Sequence, residues 1–507
     1  MTTEKRKILT LPKDKGANAD LVEEEKSISV GLFDVLLPSR QFVVHHKVAE
    51  VGQVSLTTEF LLRLLYSVDG MDEQDVALFF GFDAPEMAFV VNEAESRAYV
   101  SRKNGRIWLE DAGYALFKDG EKPQIFEVQK RTEKVGFDLL SMSPCERDYL
   151  SEFERTLPEL EIKDAQMVAS ASKNVPDAFR RHYREIAGQK DRDPTAGVKR
   201  SLYSIDEVIA SDRFPSVIPV LAVASVRKPG EPEPVLEAWR SGHELDDRSA
   251  VVNAVAAFLD NMKTVRRKED ENAYQVLLDL APDYLKDYKT KSGLNPTRFF
   301  NETAIRAGEL RIDRPTVGII GPLFSPENSS RIFDAMEYVA QHESEEDVEP
   351  FIWLTPNSST WGTSRALSTF LERFANESNG SATGKNNNSR RDIAITCGKP
   401  QKHLAKVFQK VLLRADNGSI PSALEMLLVP RRFVAVTVHA PIGIGRGFPV
   451  PLGVLSFEPD VVERAHQYLR TQLPQYLETS DSSEKFDVHM LTRWHETSGQ
   501  GDAEGSS

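Results

Sequence analysis

The sequence is poor in the residues that announce chemistry. Its 507 residues hold two cysteines. Cys145 and Cys397 stand far apart, outside any CxxC or Cys/His cluster. That excludes a disulfide scaffold and a cysteine-bound zinc site, and it fits a reducing compartment. Ten histidines are scattered along the chain. None has HExxH or H-x-H spacing, so neither a metal nor another cofactor is expected. No G-x-S-x-G elbow is present. No apolar run reaches the roughly 18 residues that a membrane-crossing helix needs. The opening stretch to Lys26 has no apolar h-region, so no signal peptide is expected. These absences describe a cytoplasmic chain with no membrane partner. Positive charge is in deficit too: 63 Lys and Arg face 77 Asp and Glu, a net charge of −14, with a pI near 5.4. Such a chain repels DNA on average, so nucleic-acid binding would need a local basic patch.

What is present is length and pattern. The chain is long enough for two to four domains. Short β-like runs, Ile28–Leu37 and Phe42–Val48, flank Pro38-Ser39-Arg40. In the segment from Val54 to Phe117, Phe60, Leu61, Leu64 and Leu65 recur at helical spacing. Asp72 is a candidate N-cap for a second helix carrying Val76, Phe79 and Phe80, which Gly81 ends. A third helix starts near Asp83 and carries Met87, Val90, Val91 and Ala94. Tyr99–Ser101 and Arg106–Leu109 then bracket Arg102-Lys103-Asn104-Gly105, a strong hairpin signal.

After Pro144 the character changes. Cys145–Leu160 and Asp164–Ala187 read as helices, Val217–Val226 as a strand and Val251–Met262 as a helix. From Asp313 the order is strand Thr316–Ile320, helix from Pro326 to Ala340, strand Phe351–Leu354. That is a βαβ unit of an α/β layer. Ile393–Thr396, Phe433–Val438 and Leu452–Phe457 are later strands, before a helix from Val461 to Leu477. The stretch Asn376–Arg391 is a polar low-complexity loop.

Three helices followed by a hairpin resemble a winged helix-turn-helix domain. The resemblance implies a hairpin wing on phosphates and a third helix facing base edges. The third helix offers Glu86, Asn92, Glu93, Glu95 and Arg97, a poor surface for a polyanion. The wing offers Arg102, Lys103 and Arg106, the first candidates for phosphate contact. Two further basic clusters could extend that path: Arg180, Arg181 and Arg184, and Lys263, Arg266 and Arg267.

The C-terminal region resembles the phospholipase D-like superfamily. On Val436-Thr437-Val438-His439-Ala440-Pro441, His439 matches the position of that family's nucleophile. Pro441 stands where the family has lysine, and Glu458 replaces its asparagine. A phosphoryl site without its lysine lacks the charge that steadies the transition state. The resemblance therefore implies an inactive copy. Ile442–Gly447 follows a strand but leads into Pro449 and Pro451, so it is not a phosphate loop on a helix.

The expected fold is a multidomain α/β chain. Residues 1–27 form a disordered start and 28–143 a winged-helix domain with N-terminal strands. A mixed helical and β middle region spans 144–312, a C-terminal α/β sheet domain 313–478, and a disordered tail 479–507. The expected function is non-catalytic: a nucleic-acid-associated binding or adaptor protein, such as a subunit of a bacterial DNA-processing or defence assembly, with DNA and protein partners. The alternatives are a phosphodiesterase or nuclease using His439 and a ligand-responsive winged-helix transcriptional regulator.

Overall fold

The computed structural model describes residues 26–51, 56–117, 126–163, 165–191, 200–240, 248–306, 308–342, 351–379, 392–399, 401–416, 418–443, 445–480 and 484–488. The expectations for the first 25 residues, for most of the Asn376–Arg391 loop and for the end of the tail fall outside them. The described chain is mixed α/β with several sheets.

Strand β1 (Ser27–Val51) is one continuous strand, where two short runs were expected. The interrupting Pro38 stands opposite Pro215, so two missing backbone donors fall on the same rung. The Pro38 carbonyl still accepts from Leu139 N at 2.9 Å.

After β1 comes a small module with its own core of Leu61, Leu62, Leu65, Val76, Val91 and Ile107. It runs α1 (Leu56–Ser67), β2 (Met71–Asp72), α2 (Glu73–Phe80), α3 (Ala84–Ser96), β3 (Val100–Lys103), β4 (Arg106–Leu109) and α4 (Asp111–Tyr114). The sheet order is β2-β4-β3. Asp72 caps α2, and Gly81 ends it at φ +72°. Asp83 and Glu86 form a capping box on α3. Asn104 and Gly105 both take positive φ, 56° and 76°, as a tight hairpin turn requires.

Strands β5 (Phe126–Asp138), β6 (Arg200–Ser225) and β7 (Glu233–Val235) join β1 in a sheet of order β5-β1-β6-β7. The early strands thus pair with the middle of the chain. Helices α5 (Ala165–Arg181) and α6 (Tyr183–Asp191) cover this sheet with Val175, Phe179 and Ile186. The helix expected over Cys145–Leu160 is absent. Leu36 N bonds the Pro158 carbonyl and Leu160 N bonds the Leu36 carbonyl, both at 2.8 Å, so this stretch runs along β1.

Three short strands, β8 (Thr264–Val265), β9 (Lys289–Thr290) and β10 (Gly293–Leu294), precede the large sheet. Its strands are β11 (Thr316–Ile320), β12 (Phe351–Leu354), β13 (Asp392–Cys397), β14 (Lys410–Arg414), β15 (Leu424–Val429) and β16 (Phe433–Ala440). The two-residue β17 (Arg446–Gly447) follows and pairs with β8. The large sheet resumes with β18 (Val450–Ser456), β19 (Tyr476–Thr479) and β20 (Lys485–Asp487). The order is β11-β18-β16-β15-β12-β13-β14-β19-β20. The ladder directions make β11, β16, β12, β13 and β14 run the same way.

Strands β12, β13 and β15 are buried at every residue because helices cover both faces. One face carries Leu354, Ile395, Met426 and Val436 against Leu277 and Leu469. The other carries Trp353, Ala394, Leu427 and Ala435 against Phe333 and Phe370.

Candidate functional site

Strand β12 is where the chain order turns. It is entered from β11, four places away on one side, and it leads to β13 on the other. In open α/β sheets such a switch point leaves a crevice outside the carboxyl ends of the strands. A cavity of about 480 Å³ lies there. Pro322 and Phe324 line it after β11, the Pro356–Gly362 loop after β12, and His439 near the end of β16. Ser422 and Ala423 before β15 and Pro449 before β18 complete that rim. Phe33 of β1, Phe258 and Phe448 form an apolar wall, with ring centroids 5.9 and 6.3 Å apart in edge-on contacts around Phe33.

The loop after β12 is tied down from three directions. Asn357 N donates to the Ser422 carbonyl at 2.7 Å, and Asp34 N to the Thr363 carbonyl at 2.6 Å. The buried Asp34 carboxylate accepts from Arg365 N at 2.5 Å. His403 Nε2 lies 2.7 Å from the Trp361 carbonyl. Burial holds the His403 imidazole below the usual histidine range, and this hydrogen bond pulls the other way.

Under the cavity sits Glu425 on β15, with zero exposure. Trp353 Nε1 and Trp361 Nε1 donate to Oε1 at 3.0 and 3.1 Å. Thr437 Oγ1 donates to Oε2 at 2.7 Å, and His439 Nε2 meets the same oxygen at 2.5 Å. Alternation makes this cluster: Glu425, Thr437, His439 and Trp353 project to one face of three adjacent strands. The His439 side chain is 14% exposed. Its Nδ1 has no hydrogen-bond partner among the described residues and is open to solvent. Arg267 is the one formally charged lining side chain among them; Asn261, Asn357, Ser358, Ser359 and Thr360 supply neutral polar groups.

Of the sequence candidates, His439 and Arg267 line this cavity. Arg102 is held by acids: Nε lies 3.5 Å from Glu73, and Nη1 lies 3.4 Å from Glu95 and 2.8 Å from Asn92 Oδ1. Lys103 Nζ bonds Glu110 at 3.1 Å. The neighbouring Ser101 hydroxyl and then Lys103 hold the Glu110 carboxyl below its ordinary range. Arg106 is exposed and makes no ion pair among the described residues.

Arg180 pairs with Asp177 at 2.7 Å, while Arg181 and Arg184 are exposed on α5 and α6. Lys263 pairs with Asp260 at 2.8 Å, and Arg266 stacks over Tyr274. His46 is buried against Phe179 and Tyr183.

Sequence reasoning missed Glu425, because strand β15 itself was missed. A lone acid in LEMLLV was the available signal: a carboxylate in an otherwise apolar strand needs buried donors. Among the described residues no group of three or more His, Cys, Asp or Glu side chains could hold a metal, and no helix is long and apolar enough to cross a membrane. No family model, curated protein or solved structure matches this chain.

Proposed function

We propose that the chain is a ligand-responsive binding protein. In this reading a small molecule with an apolar body and a polar head fills the cavity outside β12 and β16. The N-terminal helical module, a winged helix in this reading, meets a macromolecule. The observation that carries the proposal is His439: Glu425 engages one ring nitrogen, and the other is left at the cavity wall. A fixed imidazole beside aromatic walls and neutral hydroxyls suits recognition of a polar head group. The test is a thermal-shift screen of small amphipathic acids, alcohols and amides on wild type and His439→Ala. Ligands that stabilise wild type should lose most of their shift in the variant. Equal shifts in both proteins would rule out the cavity as the binding site.

The second reading is a phosphodiesterase or nuclease using His439. It is favoured by the Glu425–His439 contact, since a carboxylate that orients an imidazole is a recurring catalytic device. Against it stands a cavity wall with one cation, Arg267, among the described residues. Phosphoryl transfer depends on positive groups around the equatorial oxygens. Cleavage of a nitrophenyl phosphodiester in the presence of chelator, lost in His439→Ala, would reverse the order of the two readings.

For the N-terminal module, a protein partner has better support than DNA. Asp69, Asp72, Glu73, Asp75, Asp83, Glu86, Glu93 and Glu95 lie between Arg63 and Arg97, with no lysine or arginine among them. Leu78, Phe79 and Phe89 are well exposed on α2 and α3. The adaptor role, including one in a DNA-processing or defence assembly, is retained in this form.

A further inference from the structure

Arg414 ends β14 at the same end of the large sheet's strands as the cavity, four places from β16. It is 3% exposed. None of its three guanidinium nitrogens has a hydrogen-bond partner among the described residues. A buried guanidinium without a partner is among the costliest arrangements a core can contain. No neighbouring side chain accepts a hydrogen bond from it. Alternation places Arg414 on the side of Leu412, toward the core that contains Leu469. On β13 the residue in register is Cys397. Burial raises the Cys397 thiol above its ordinary range, so this neighbour is neutral.

Tyr468, on the helix Pro459–Gln472, feels the Arg414 charge, and its hydroxyl is also buried without a partner. Two acids stand in the neighbourhood, but neither takes a hydrogen bond from Arg414. Glu269 spends an oxygen on Ser422 N at 2.8 Å. Asp416 acts on Cys397.

We propose that Arg414 and the Tyr468 hydroxyl form an oxyanion-binding site, which takes a carboxylate or phosphate group on the guanidinium. The planar fork of arginine matches two oxygens of either group, and the phenol supplies a further donor. The anion brings the hydrogen-bond acceptors that the side chains around Arg414 do not deliver. Because this site lies on the opposite face of the sheet from Glu425 and His439, it does not rest on the function proposed for the cavity.

The experiment is a thermal-shift titration of the full chain at constant ionic strength, with inorganic phosphate and, separately, succinate replacing chloride. At least one anion should raise the melting temperature in a saturable way. Phosphate alone acting assigns a phosphate site, and succinate alone a carboxylate site. Arg414→Met should abolish the response. Tyr468→Phe removes a hydroxyl with no protein partner, so it should fold normally and weaken the anion several-fold. The proposal is overturned if neither anion acts beyond chloride, or if Arg414→Met keeps the wild-type response. Should Arg414→Met fail to fold, an unchanged titration midpoint in Tyr468→Phe overturns it.

Discussion

At position 425 a fully buried carboxylate is met by four side chains from two strands and a loop. Its removal would strand two indole N–H groups and a threonine hydroxyl in the core. Glu425→Ala should therefore cost about 3–5 kcal/mol, the range for breaking one side of a buried charged network. Denaturant midpoints measure this, and a loss below about 1 kcal/mol would mean that the network carries little. His403 gives a pH dependence of defined sign. Its folded pKa is depressed, so its stabilising contribution is complete above the unfolded value of about 6.5 and is lost as pH falls toward the folded value. His403→Gln should flatten the decline of stability below about pH 6.5. An unchanged slope would show that His403 does not report its burial. Single residues were the least legible part of the sequence. His439 stood out through the family resemblance, but Glu425 and Arg414 acquire meaning only from strands next to them in space and far away in sequence.

Elements were legible where local chemistry decides them. The caps on α2 and α3 and the Asn104-Gly105 turn each follow from two or three neighbouring residues. Gly70 belongs with them. Its φ is +72°, and a Cβ there would meet the Trp108 ring at 2.6–2.9 Å. Gly70→Ala should cost about 1–3 kcal/mol and loosen the packing of Trp108, visible as a changed near-ultraviolet signal. Long-range pairing was not legible. Strand β1 was expected as two pieces, because the alternate partner that carries it through Pro38 is more than 150 residues away. Strand β18 shows the same dependence. A Cβ at Gly453 would sit 1.8 Å from the Val436 carbonyl oxygen on the neighbouring strand. Gly453→Ala should cost about 3 kcal/mol or more, or abolish soluble expression, since two central strands would have to separate. Normal thermal stability in that variant would contradict the register of β16 against β18.

For the whole molecule, the acidic balance read from composition extends to the parts that were expected to oppose it. Arg102 and Lys103 are engaged by Glu73, Glu95 and Glu110, which leaves Arg106 as the free cation of the hairpin among the described residues. Binding to generic duplex DNA should thus be weak, with a salt slope that counts no more than about two phosphates. A slope of five or more would restore the nucleic-acid reading. The mixed α/β class was visible from alternating strand and helix patterns. The site was not, because the cavity is assembled from β1, the loop after β12 and the ends of two hairpin strands. The most direct measurement is a crystallographic fragment screen on the full chain. The expected result is a cluster of bound fragments between Phe33, Phe324 and Trp361, with a polar atom on His439 Nδ1. Fragments that gather elsewhere while this cavity stays empty would contradict it.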